Sequence, residues 1–217
     1  MIVADSSSII SLAVNCLSPV LRKLDADFVV TPRVYEEIIV RPAGSTRFAL
    51  EAMRIKTLVD SGAIKLVQVR QNTGHELLKV ANRVYKIRGR ELKIIHPAEA
   101  EAMAYACGCR ADALLIDERI TRLLIEDPVS LRDLLSHRNK ADVKMNEGKL
   151  KRFQAIVSDM PIIRSSEVVA VAYEKGILTR MHGVEDKKVL DAALTALKSS
   201  GCAISWDEIS EYQKAVI

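Results

Sequence analysis

The sequence predicts an α/β fold built on a parallel sheet. Short apolar runs alternate with longer helical patterns along the chain, and the 217 residues are 49% hydrophobic and 28% charged. That is globular composition, sufficient for one generous domain. No Pro/Gly/Ser-rich linker, internal repeat or low-complexity stretch divides it.

Strands are expected at residues 2–4, 28–30, 64–69, 113–116 and 161–163, where short apolar runs occur. The run 64–69 reads either as an edge strand or as an extended link. Helical patterns fall at 8–16, 32–40, 46–61, 74–87 and 97–107. Pro32 and Pro97 mark two helix starts, positions where a missing N–H leaves no intrahelical bond unmade. After the fourth strand, helices are expected at 120–126, 129–137, 147–157, 167–175, 185–199 and 206–216. The chain therefore reads as one domain, 1–217, with its core in 1–127 and 161–217. Residues 128–160 form a basic helical insertion before the last strand.

Aromatic residues are only 4% of the chain, so the core rests on aliphatic side chains and stacking platforms for bases are few. The formal net charge is +4, but the positive residues are clustered. Lys79, Arg83, Lys86, Arg88, Arg90 and Lys93 face only Glu91 within their stretch, and residues 128–152 are basic on balance. Such patches suit a polyanion, although charged runs are more often plain solvated helix faces. Cys16, Cys107, Cys109 and Cys202 form no CxxC and no zinc-ligand pattern, so small buried free thiols are expected. The opening MIVADSSSII has neither a basic segment nor a long apolar core, and no stretch is apolar enough to span a bilayer. A soluble, cytoplasmic protein without membrane contact is expected.

The chemistry lies in four scattered acids. Asp5 ends the first apolar strand and Asp117 ends the fourth. Parallel α/β sheets form ligand sites at the carboxyl ends of their strands, so these two are placed to converge. Either alone would be an ordinary helix N-cap. At about 100° per residue, Glu37 falls about 60° from Val34 on the face turned to the sheet, while Glu36 points to water. Glu99 stands in the first turn after Pro97 and aligns with Met103 and Ala106. Its helix-dipole contact alone would justify it there, and His96 is too poor an N-cap to complete a capping box. Glu101 lies about 160° round that helix and is the weaker candidate, near enough to the helix end to reach a second metal. Four carboxylates at one cleft repel one another unless a cation compensates them. Oxygen donors without His or Cys favour Mg²⁺ or Mn²⁺. A metal of that kind lowers the pKa of a water and polarises a phosphodiester. On the same grounds Asp117→Asn is expected to leave the metal-free fold intact or more stable.

These residues also carry a resemblance. IVADSSSII resembles the opening strand of PIN-domain proteins, VVTPRVYEEI their second acidic motif, HPAEAEAMAYA their Glu-Ala-Glu-Ala helix and ALLIDERITR their fourth motif. The order and spacing match through residues 2–122. The tail resembles the closing helices of a prokaryotic, largely archaeal and bacterial, subgroup, with Cys202 and Ala203 replacing its aromatic and Arg positions. The resemblance implies a three-layer α/β/α sandwich, a central parallel sheet and a Mg²⁺- or Mn²⁺-dependent endoribonuclease. It implies Asp5, Glu37, Glu99 and Asp117 as ligands and catalytic residues, Ser7 as the hydrogen-bonding support of Asp5 or of a metal-bound water, and frequent homodimers.

Arg119 and Arg122 are candidates to hold a phosphate, with Arg83, Lys86, Arg88 and Arg90 as further RNA-binding candidates; an exposed helix start explains the first two equally well. Glu118 is a candidate outer-sphere group. The serines lack a GxSxG elbow, His75, His96, His137 and His182 are too dispersed for zinc, and no GxxxxGK[ST] appears. Two roles fit: a toxin silenced by an antitoxin, or an RNA-processing or ribosome-maturation nuclease with a ribosome-associated partner. The rival readings are a catalytically silent RNA-binding or scaffold protein of the same fold, and a structure-specific DNA nuclease.

Overall fold

The computed structural model describes residues 1–178 and 186–215. In chain order, β1 (Ile2–Ala4), α1 (Ser6–Val14), α2 (Pro19–Lys23) and β2 (Phe28–Val30) come first. A helical stretch follows as α3 (Pro32–Tyr35), a π-helical turn (Glu36–Val40) and α4 (Arg41–Ala43). Next are α5 (Ala49–Asp60), β3 (Ile64–Leu66), α6 (His75–Ala81), β4 (Tyr85–Ile87) and β5 (Arg90–Glu91). They lead to α7 (Pro97–Cys109), β6 (Ala113–Leu115), α8 (Arg119–Glu126), α9 (Pro128–Asn139), β7 (Val143–Met145) and α10 (Glu147–Val157). The chain closes through β8 (Ile162–Ile163), α11 (Ser165–Glu174), α12 (Asp186–Ser199) and α13 (Trp206–Ala215).

The main sheet has the order β3-β2-β1-β6-β8, and each pairing in it is parallel. Parallel strands need helical crossovers, and helices therefore cover both faces of the sheet. The inner strands show the consequence: β2 and β6 are buried at every position, as strands covered on both faces must be. β3 is the edge, with Lys65 and Leu66 exposed, so its sequence is less uniformly apolar. From β1 the chain builds outward to β2 and β3, then returns to the other side of β1 for β6 and β8. The strand order thus reverses between β1 and β6, and crevices at the carboxyl ends of strands open at such a switch point.

A second, antiparallel sheet, β5-β4-β7, corrects the expected helix at 74–87. That helix stops at Ala81. Asn82, just beyond it, accepts from the backbone N–H groups of Ile94 and Ile95 and donates to the Ile95 carbonyl, which fixes the next segment alongside. Arg88 and Gly89 then both take positive φ, 49° and 79°, as a two-residue turn joining antiparallel strands requires. The alternation Tyr85-Lys86-Ile87 was the overlooked strand signal. The basic insertion is likewise not wholly helical, because its β7 pairs with β4 in the register Lys86↔Lys144. Buried side chains from Val3 to Ile209 form one continuous cluster, to which the insertion contributes Leu131, Leu135, Val143, Leu150, Phe153 and Val157.

The cysteine expectation holds in part. All four are unpaired thiols, but only Cys202 is buried, while Cys16 and Cys109 are exposed. Among the described residues, no helix is long and apolar enough to cross a membrane.

Candidate active site

Asp5 and Asp117 lie where the switch point demands. Each follows one of the two central strands, and the Asp5 N–H donates to the Leu115 carbonyl at 2.9 Å, tying the ends of β1 and β6 together. Asp5 is 3% exposed and N-caps α1, its Oδ2 accepting from the Ser7 amide at 3.0 Å and the Ser7 hydroxyl at 2.8 Å. The Ser7 support expected from the sequence is therefore in place. The other oxygen, Oδ1, is buried without a partner. A buried carboxylate oxygen so placed is costly unless something positive answers it.

Glu37 stands on the π-helical turn, half-buried, and its Oε2 accepts from the Ser6 hydroxyl at 2.8 Å. There the Arg41 N–H reaches back to the Glu36 carbonyl, and Pro42 has no N–H to continue an α-helical ladder. The wider turn shifts side chains from a 100° wheel, yet Glu37 still faces the site and Glu36 remains exposed. Glu99 is 9% exposed at the start of α7. Its Oε2 accepts from the His96 amide at 3.0 Å and the Thr121 hydroxyl at 3.1 Å. The first bond is the returning half of a capping box, present although His96 is a poor N-cap for a complete one. The glutamate makes that half itself, whatever stands at the N-cap.

Electrostatics link three of the acids. Burial raises the Asp5 pKa, the Ser7 amide and hydroxyl oppose it, and the charge of Glu37 pushes the same way as burial. Burial, with the negative charges of Asp5 and Glu118 beside it, pushes Glu99 up to about 8. The expected outer-sphere acid, Glu118, thus acts on Glu99 through space while its carboxylate caps α8 through the Thr121 amide.

Asp117, 1% exposed, is held differently. Its Oδ1 accepts from the Ser165 amide at 2.7 Å and its Oδ2 from the Ser165 hydroxyl at 2.6 Å. Cys202 lies close, its thiol pushed up to about 11 by burial and by the Asp117 charge. Glu101 is not the outward-facing acid that the helical wheel predicts. It is 6% exposed and grips α3: one oxygen accepts from the Arg33 amide at 2.9 Å, the other pairs with its Nε at 3.2 Å. Since Thr31 makes no side-chain cap, Glu101 performs that task from another helix, locking the element that carries Glu37 to the one that carries Glu99. Ser6, Thr121 and Ser165 were missed by the sequence reading. Ser6 had a signal, its place in the Asp-Ser-Ser turn; Ser165 had none, because it arrives from the end of β8.

Among the described residues, no group of three or more His, Cys, Asp or Glu side chains stands arranged to hold a metal ion. The acids do not form a closed cage; they form a rim. The rim nonetheless fits a hard divalent cation: its donors are all oxygen, one of them is buried and unanswered, and like charge raises Glu99. Asp5, Glu37 and Glu99 would hold such an ion, with Asp117 available through its remaining lone pairs.

The basic candidates divide. Arg119 is exposed beside the site. Arg122 donates to the Ala203 carbonyl at 3.3 Å and pairs with Glu126, so it fastens the tail, while its Nε is buried without a partner. Arg83 pairs with Glu91 at 3.4 Å, and Arg88 and Arg90 are exposed on the β4–β5 hairpin.

Residues 1–126 match the model of a family described as PIN domain, and the chain belongs to that family. The match takes in β1 to α8 and all four acids of the rim. No curated protein and no solved structure matches the chain. PIN domains are generally nucleases that typically use divalent metals, so the fold is of nuclease type.

Proposed function

We propose that the protein is a metal-dependent endoribonuclease that hydrolyses RNA phosphodiesters with water as the nucleophile. The buried, unpartnered Oδ1 of Asp5, set at the switch point within the electrostatic reach of Glu37 and Glu99, carries this reading. When bound, Mg²⁺ or Mn²⁺ polarises the phosphodiester and makes the attacking water more acidic. The protein's own groups do the rest. Ser7 fixes Asp5, Ser6 fixes Glu37, Thr121 and the His96 amide fix Glu99, and Ser165 fixes Asp117. Four carboxylates on four different elements are thereby kept in register without help from the substrate. Glu99, protonated up to about pH 8 without a counter-charge, gives up that proton when a cation is bound. Arg119, exposed beside the rim, is available to a neighbouring phosphate.

A homodimer fits the apolar side chains left exposed on neighbouring helices, Ile10 and Val14 on α1 with Leu50 and Met53 on α5. A toxin paired with an antitoxin, and a ribosome-associated processing enzyme, are the two cytoplasmic roles consistent with this chemistry.

The test is cleavage of an end-labelled RNA with Mn²⁺, with Mn²⁺ plus EDTA, and by Asp5→Asn, alongside single-stranded and flapped DNA. Internal cuts in RNA that need both the metal and Asp5 are expected. Intact RNA at high enzyme and metal concentration would instead favour a silent RNA-binding protein, and preferential cutting of the flap a DNA nuclease.

A further inference from the structure

We infer that α6 and the insertion helix α10 form a second, non-catalytic binding site, a basic cleft that grips the phosphodiester backbone of the polynucleotide outside the acidic rim. The cleft measures about 360 Å³ and is lined by His75, Glu76, Lys79, Val80, Arg83, Lys149 and Arg152. Four permanent cations therefore line it: Lys79 on α6, Arg83 in the turn just past that helix, and Lys149 and Arg152 on α10, the two helices packing against each other. Two have local partners, Arg152 with Glu76 and Arg83 with Glu91. Among the described residues, Lys79 and Lys149 pair with no carboxylate. Unneutralised ammonium groups held together in a concave wall attract a polyanion.

The positive charge continues beyond the cleft. Just past Arg83, Lys86 on β4 faces Lys144 on β7 directly across the pairing. Their neighbours Tyr85 and Val143 are buried, so alternation puts both lysines on the outer face of the small sheet. Like charges placed directly opposite destabilise a sheet. The sheet therefore tolerates a local repulsion that a bound phosphate chain would relieve.

Position connects the cleft to the rim. Gly74, immediately before α6, has φ +83°, and a Cβ there would lie 2.6 Å from the Ala100 carbonyl and the Glu101 nitrogen. The start of α6, whose first residues His75 and Glu76 line the cleft, is thus pressed against the helix turn that carries Glu99. One strand can cross the rim and continue between α6 and α10. No Phe, Tyr or Trp side chain lines the cleft, so His75 is its one aromatic ring and it offers no row of platforms on which to stack bases. Lysine and arginine there recognise phosphates, independent of sequence. The insertion, which lies outside the family match, acquires a role as the wall that turns a basic helix into a cleft. That the bound strand is RNA rests on the nuclease reading; the cleft itself does not.

The experiment is fluorescence anisotropy of labelled 20-nucleotide RNA and DNA of one sequence, in EDTA, with the full chain carrying Asp5→Asn. Lys79→Gln with Lys149→Gln removes two phosphate contacts. On a single strand this lowers the slope of log K against log salt by about 1.4, which is about 25-fold in affinity at 0.1 M salt. Losses of that order on both RNA and DNA are expected, with recovery in Lys79→Arg/Lys149→Arg. Unchanged affinity and slope would overturn the proposal, as would an equal loss in the charge-matched control Lys23→Gln/Lys175→Gln on other elements. A loss that depends on base sequence would overturn the backbone assignment. If no RNA is ever cut yet the double variant binds 25-fold less tightly, the nuclease reading fails and the cleft stands. If cutting proceeds and binding is unaffected, the reverse holds.

Discussion

Replacing Glu99 by glutamine should stabilise the metal-free protein at neutral pH and weaken its response to metal. In the unfolded chain the Glu99 carboxyl ionises near 4.5, whereas in the fold it keeps its proton up to about 8. Between those values the folded state binds one proton more than the unfolded state, so stability falls as pH rises, by about 1.4 kcal/mol per pH unit. At pH 7 the interval already crossed amounts to roughly 3 kcal/mol. Glutamine keeps a carbonyl oxygen for the His96 amide and carries no proton to lose, so this slope disappears. Urea denaturation of both proteins at pH 5 and pH 7.5 in EDTA measures it. The wild type should lose stability between the two values by more than Glu99→Gln does. Adding Mn²⁺ should raise the wild-type midpoint at pH 7.5 and move that of Glu99→Gln much less, because a cation compensates the buried charge only where there is one. Two proteins with parallel pH profiles, or a glutamine variant less stable at pH 7.5, would refute the account of a buried carboxyl repelled by Asp5 and Glu118.

Three further outcomes follow from single contacts. Asp117→Asn should destabilise the protein by about 1–3 kcal/mol on thermal denaturation, contrary to the relief expected from sequence, because Ser165 offers two donors and an amide presents only one acceptor to them. Gly74→Ala should lower the denaturation midpoint more than any surface change, since it meets both a left-handed φ and the Ala100 carbonyl at 2.6 Å, and it should weaken metal binding indirectly, because the adjoining Glu101 locks the element that carries Glu37 to the helix that carries Glu99. Lys144→Glu should stabilise the small sheet by roughly 0.2–1 kcal/mol by replacing a like-charge pair across from Lys86, while weakening polynucleotide binding; a urea titration and an anisotropy titration of the same preparation check the opposite signs.

The main sheet was legible in the sequence because its inner strands are buried on both faces and so read as unbroken apolar runs, as Phe28–Val30 and Ala113–Leu115 do. The ends of β1 and β6 were legible for the same reason, and with them Asp5 and Asp117. The second sheet was not. Its strands span two or three residues each, and a run such as Tyr85-Lys86-Ile87 satisfies a helical pattern as well as an extended one until its partner, β7, arrives from the insertion. Glu37 was found by angular position despite the π-helical turn beneath it. Glu101 was misplaced by the same arithmetic, because a helical wheel marks a side as outward without knowing that Arg33 and another helix N-terminus lie there.

By itself, the sequence determined the apolar strands, the helix starts at Pro32 and Pro97, and the acids that follow the central strands. These are local facts, fixed by residue type, burial period and capping chemistry. Only the tertiary structure decided what each acid's oxygens touch: Ser165 on Asp117, Arg33 on Glu101, Thr121 on Glu99, and no partner for one oxygen of Asp5. Hydrogen bonding and desolvation depend on which groups approach within about 3 Å, across separations in the chain that no local pattern records.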